Sequence, residues 1–129
     1  YGFTLMLLRR FQDALPSLLQ GLSMNEDVPH GLNALGYCYF NLGQLPEARN
    51  AFERGLHYDP DNPYLLNNCG ATRMLTGDIE GSDMIVKAAT QEVNVPAFMH
   101  NMRVLQDLSR TQRWPQEQLA LELFYNRGN

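Results

Sequence analysis

The chain has 129 residues, 44% hydrophobic and 19% charged, with a formal net charge of −4. That composition can bury a core and is not that of a disordered segment, and the acidic balance points away from nucleic acid, which wants a basic face. No apolar run approaches the roughly 20 residues of a membrane span ("FTLMLL" is the longest notable one), and no basic segment followed by an apolar stretch reads as a secretory leader.

The glycines are spread singly, and they recur. Gly2, Gly36 and Gly70 are spaced by 34 residues, as are Gly43 and Gly77, Ala14 and Ala48, and the small residues Gly21, Gly55 and Ala89. A fixed period in this range decides the architecture before any other feature does. The first unit reads as partial, with helices over 2–8 and 11–23. Pro16 lies past the first turn of the second of these, which predicts a kink or a late start. Aligning Gly2 with Gly36 places Tyr1 inside a helix, so the chain is expected to be a fragment that opens in mid-repeat.

The second unit reads as helices over 29–41 and 45–57. Leu32, Leu35, Tyr39 and the flanking Phe40 recur at three- and four-residue steps, as do Leu45, Ala48, Phe52 and Leu56. Pro46 sits in a first turn, where its missing N–H costs nothing. "DPDNP" over 59–63 ends one helix and starts the next. The third unit reads as 63–75 and 78–90, with Gly81 weakening its second helix by roughly 1 kcal/mol relative to Ala. The fourth reads as 96–109 and a capping helix over 115–125, with a one-residue register slip that aligns Asn68 with Asn101. Trp114 would cover the open end.

The expected architecture is all-α, about four stacked helix–turn–helix repeats (1–28, 29–62, 63–95 and 96–126) in a single domain. The small residues at 36, 48 and 55 would let paired helices cross closely, and Tyr39 and Phe52 would fill the space between units. One such unit cannot bury its apolar face alone, so units stack. Cys38 and Cys69 lie among apolar residues and read as buried free thiols rather than a disulfide or metal pair.

Leu32, Leu35, Gly36, Tyr39, Ala48, Phe52, Gly55 and Pro60 stand where the tetratricopeptide repeat signature has its W/L, L, G, Y, A, F, A/G and P. The second unit therefore closely resembles that family. The third keeps Leu66, Gly70, Gly77 and Ala89 but has Cys69, Arg73, Ser82 and Val86 at signature places. The fourth has Arg103 in place of the glycine. The resemblance implies a right-handed solenoid whose first helices line a concave, partner-binding face.

No catalytic constellation is read. His30, His57 and His100 fall in three different units, no phosphate-binding or nucleophile motif is present, and no cofactor, metal or small-molecule substrate is expected. The inward positions that the resemblance implies are more informative. Met6 and Leu7 fall there in the first unit. The candidate partner-binding residues are Asn33, Tyr37, Phe40, Tyr64, Asn67, Asn68, Met74, His100 and Asn101. An asparagine offers a donor and an acceptor, so a row of them can bond a peptide main chain whatever its sequence. Tyr37, Phe40, Tyr64 and Met74 would supply apolar pockets. The competing reading is that these amides solvate a groove or satisfy helix ends, and Ala34 interrupts the row.

The expected function is a non-catalytic scaffold that receives a protein or peptide segment in its concave groove. Asn67-Asn68 after "DPDNP", followed by Asn101-Met102, is similar to the lipoproteins of bacterial tight-adherence (Flp) pilus assembly, the TadD-like group. That resemblance implies a secretion-system assembly factor facing the periplasm, held at the outer membrane by a lipid anchor missing from this chain; otherwise the compartment would be the cytoplasm. A rival class is a repeat segment that self-associates through its faces or ends as a homo-oligomer. A further one is a co-chaperone holding acidic chaperone tails, disfavoured because no inward Lys or Arg is available to pair a carboxylate.

Overall fold

A computed structural model describes residues 11–23, 28–92, 94–111 and 120–123. The expected helix over 2–8, Met6, Leu7 and Trp114 lie outside these residues. Six helices are described: α1 (Phe11–Ser23), α2 (Val28–Asn41), α3 (Leu45–Tyr58), α4 (Pro63–Leu75), α5 (Gly81–Gln91) and α6 (Pro96–Thr111). No strand occurs among the described residues. The fold is all-α and built of helix pairs joined by tight turns, as the repeat predicts. The helices group into two compact units, Tyr1–Asp61 and Asn62–Asn129.

In the first unit α2 pairs with α3, and α1 packs on α2. The pairing is close because Gly36 has no side chain. A Cβ there would come within 2.7 Å of Cδ1 and Cζ of Phe52, whose ring is fully buried. Phe52 thus fills the space above Gly36 within its own pair, where the repeat pattern alone suggested a place between units. Pro16 does not break α1, which runs through it and buries Ala14 and Leu18.

The α2–α3 turn is set by Gly43, whose φ of +81° is a left-handed conformation that a Cβ disfavours. Its N–H donates to the carbonyl of Phe40 at 3.1 Å, and that of Gln44 donates to the carbonyl of Tyr39 at 2.9 Å. These two bonds close the last carbonyls of α2 in a Schellman arrangement. The α4–α5 turn repeats it. Gly77 has a φ of +100°, its N–H reaches the carbonyl of Met74 at 3.1 Å, and that of Asp78 reaches Arg73 at 2.9 Å.

In the second unit α4 pairs with α5, and α5 contacts α6. The α4–α5 crossing is tighter than the first, glycine against glycine. A Cβ on Gly70 would sit 2.5 Å from the carbonyl oxygen of Gly81, and a Cβ on Gly81 would overlap that of Gly70. Gly81 is therefore at the start of α5, not inside it, because the turn extends to residue 80. Its cost in helix propensity is replaced by a gain in approach.

Arg73, a departure from the repeat signature, bridges the α4–α5 turn. Its Nε donates to Oδ2 of Asp78 at 3.0 Å, while Asp78 Oδ1 accepts the N–H of Glu80 at 3.0 Å. At the other end of α4, Oδ1 of Asn62 accepts from the N–H groups of Tyr64 (2.9 Å) and Leu65 (3.2 Å), with Pro63 in the first turn. That is the N-cap the "DPDNP" stretch predicts.

The last expected helix, 115–125, is not formed where it is described. Residues 120–123 are not helical. Leu121 is buried, Glu122 exposed and Leu123 half-buried, the alternation of an extended chain.

The two glycine roles separate by substitution. Gly70→Ala drives a methyl into the Gly81 carbonyl and is expected to cost about 1–3 kcal/mol as overpacking. Gly43→Ala meets no atom within 4 Å and should cost about 1 kcal/mol through its left-handed φ alone. Urea unfolding midpoints of the two variants, compared at constant slope, measure both.

Candidate peptide-binding site

The candidate residues divide between the two units. Asn33, Tyr37 and Phe40 lie on α2 in the first, with Asn33 buried and the two rings half-buried. Asn41 closes the end of its helix, its Nδ2 donating to the carbonyl of Tyr37 at 2.8 Å. The other six belong to the second unit. Tyr64, Asn67, Asn68 and Met74 lie on α4, and His100 and Asn101 on α6.

Three of these six are fully buried amides: Asn67, Asn68 and Asn101. A buried amide without partners costs about 1–3 kcal/mol, so their bonds fix the local structure. The Nδ2 of Asn67 donates to Oδ1 of Asn68 at 3.2 Å. The Nδ2 of Asn101 donates to Oδ1 of Asn67 at 2.8 Å, linking α6 to α4. No buried side-chain nitrogen or oxygen among the described residues is left without a partner.

The remaining bonds of Asn67 and Asn101 go to the main chain of residue 122. Glu122 donates its N–H to Oδ1 of Asn101 at 2.7 Å. Its carbonyl accepts from Nδ2 of Asn101 at 2.7 Å and from Nδ2 of Asn67 at 3.1 Å. One asparagine thus reads both polar groups of a single residue, and a second reinforces the carbonyl. Because the N–H of Glu122 must meet an oxygen, the orientation of the Asn101 amide is determined by the network. Two residues earlier, the carbonyl oxygen of Ala120 lies 2.6 Å from Nε2 of His100, a bond that needs the proton on that nitrogen.

Side chains supply the apolar half. Leu121 is 7% exposed and packs with Ala71, Met74 and Ile85. Leu75, Met102, Val104, Leu105, Leu108 and Leu123 surround that cluster. Burying one leucine in this way is worth about 1.5–3 kcal/mol. Met74 therefore lines a leucine pocket. Tyr64 packs instead against Phe98 of α6, ring centroids 5.9 Å apart. The side chains of Ala120 and Glu122 stay exposed. The site holds a short piece of chain by the main-chain N–H and C=O of residue 122, the carbonyl of residue 120 and a buried leucine.

Ala71 is a further inward position that the resemblance implies, outside the nine candidates, whereas Ile85 and the α6 leucines carry no signal that sets them apart from core. The signal that points to residues 120–123 is the alternation Leu119-Ala-Leu121-Glu-Leu123, a period of two within a helical repeat.

No three His, Cys, Asp or Glu residues converge to hold a metal among the described residues, and no described helix is long and apolar enough to cross a membrane. Cys38 and Cys69 are buried and not disulfide-bonded. Desolvation pushes the Cys38 thiol up to about 11, from an ordinary value of 9.0. This is the opposite of what a nucleophile needs.

Two comparisons with known proteins bear on this architecture. Residues 29–62, which span α2 and α3, match the family model described as tetratricopeptide repeat. Over 73 residues, 56% of this chain, the sequence is 34% identical to the Protein CTR9 homolog of Arabidopsis thaliana, and the match covers 7% of that protein's length. A tetratricopeptide repeat is thus present in the first unit, and repeats of this family mediate protein–protein interaction and are typically non-catalytic.

The Cys38 shift has a pH signature. Below pH 9.0 the thiol is neutral in both the folded and unfolded chain. Between 9.0 and about 11 the unfolded chain ionises while the folded one does not, so its stability falls as pH rises through that window. Replacing Cys38 by Ala should flatten the alkaline fall measured by urea unfolding at several pH values. In the native chain Cys38 should resist iodoacetamide at pH 8 and react on unfolding.

Proposed function

We propose that the chain is a non-catalytic protein-interaction module whose second unit receives a short extended segment of polypeptide on α4 and α6. One observation carries this reading: Asn101 bonds both the N–H and the C=O of a single residue whose side chain faces solvent. Such a clasp recognises the main chain of a residue, not its side chain. The neighbouring leucine pocket adds apolar selectivity, so the driving forces are apolar burial and neutral hydrogen bonds. Binding of this kind depends little on ionic strength.

Asn33 lies 34 residues before Asn67 and is buried on α2, which extends the same reading, as a proposal, to the first unit with Tyr37 and Phe40 beside it. The pairs Asn67-Asn68 and Asn101-Met102, which suggest a pilus-assembly protein, have a local task around residue 122. They therefore carry no information about a pilus, and the proposal stops at protein binding.

The test is a peptide array probed at high protein concentration with the native chain and with Asn101→Ala, the helical circular-dichroism signal being recorded for both. The native chain should retain peptides that contain spaced leucines, and Asn101→Ala should lose them while keeping its helix signal. Failure of a folded native chain to retain any peptide overturns the reading. The role of the main chain is checked separately. Glu122→Lys, which alters only an exposed side chain, should leave the urea midpoint unchanged. Asn101→Ala should lower stability by about 1–3 kcal/mol by stranding Asn67 and the Glu122 N–H.

A further inference from the structure

The piece of chain seated in the site belongs to the protein itself, and that permits a sharper statement about partner and regulation, resting on the interaction reading above. We infer that residues 120–123 are a built-in occupant that displays the chemistry of the partner: a segment of another protein with two leucines flanking one freely chosen residue, which must displace residues 120–123 to bind.

Each element of this ligand chemistry is on the page. The first leucine fills the pocket of Ala71, Met74 and Ile85 that Leu121 fills here. The residue after it is held by its N–H and C=O between Asn101 and Asn67, as Glu122 is, and its side chain is unconstrained. The second leucine rests half-buried where Leu123 does. The residue before the first leucine contributes only its carbonyl, which accepts from Nε2 of His100 as that of Ala120 does, and any side chain is tolerated there.

The contacts also explain why the occupant is replaceable. It is held by one buried leucine, a half-buried one and a few hydrogen bonds, none of them using a side chain specific to the occupant other than leucine. A partner carrying the same pattern makes the same bonds. Its apparent affinity is lowered by the fraction of molecules whose seat is already filled, and a change that vacates the seat removes that penalty. Being part of the same chain, the occupant competes at a high effective concentration.

The experiment uses a fluorescein-labelled peptide with the sequence of residues 118–125 (QLALELFY) and follows its anisotropy on titration with the whole chain. Four samples decide the matter: the native chain, Glu122→Pro, Leu121→Asp, and the native chain with a peptide carrying Leu121→Asp. Glu122→Pro deletes the N–H donated to Asn101 and leaves the groove untouched, and Leu121→Asp expels the occupant from its pocket. Both variant chains should bind the peptide at least about tenfold more tightly than the native chain, and the altered peptide should not bind.

If Leu121→Asp loses its helical signal, Glu122→Pro decides alone, since both leucines remain. Equal affinity for the native chain and for Glu122→Pro overturns this inference but leaves the interaction reading standing, because the peptide then binds elsewhere. Binding of the altered peptide as tightly as the original overturns the leucine pattern. Absence of peptide binding to every folded chain overturns both this inference and the reading beneath it. A native dimer in light scattering that Glu122→Pro dissociates also overturns it, by making a second copy the occupant.

Discussion

Two buried amides on different helices govern the second unit. Asn67 and Asn101 lose all their water on folding, and each has two donors and an acceptor to satisfy. Asn101 donates to Asn67 across α6 and α4, and Asn67 gives one of its two donors to the side chain of Asn68. What remains is a donor from each and an acceptor from Asn101, and these end on the N–H and C=O of residue 122. The position of residues 120–123 follows from that remainder. A helix there would commit the same main-chain groups to intrahelical bonds and strand the amides.

The helices reach this arrangement because of what is missing from their surfaces. At the Gly70–Gly81 crossing the two backbones approach as no pair of residues with Cβ atoms can. The Gly77 turn and the Arg73–Asp78 pair then fix how α4 hands over to α5. Ile85 on α5 thereby meets Ala71 and Met74 on α4, forming the floor against which Leu121 rests. The glycines set how closely α4 and α5 approach, linking the repeat period in the sequence to the floor that Leu121 covers.

Much of this was legible in the sequence. The repeat of small residues located the helix pairs and the two glycine turns, and "DPDNP" located a cap, because these are local choices with few alternatives. The paired donor and acceptor of asparagine point to main-chain bonding. What the asparagines bond was not visible. The repeat frame predicts a helix over 115–125 as a partner to α6. The alternation of Leu119, Leu121 and Leu123 fits an extended chain better, but a period of two over five residues is weak beside a repeat of 34. Arg73 likewise reads as decay of the signature, whereas it forms an ion pair across its turn. In both cases a tertiary partner outweighs the pattern.

The composition of the seat argues that it is made for a polypeptide. Water could satisfy the three polar groups of Asn67 and Asn101 that point to residue 122, since a water molecule both donates and accepts. Water could not fill the neighbouring pocket of Ala71, Met74 and Ile85, whose lining is apolar. An apolar ligand would fill that pocket and strand the amides. The two halves are satisfied together by a leucine followed directly by a residue that presents its own N–H and C=O on one side. That combination belongs to an extended chain, whose side chains alternate while its polar groups lie to the flanks. The amides and the pocket are thus two parts of one requirement, met here by residues 121 and 122 together.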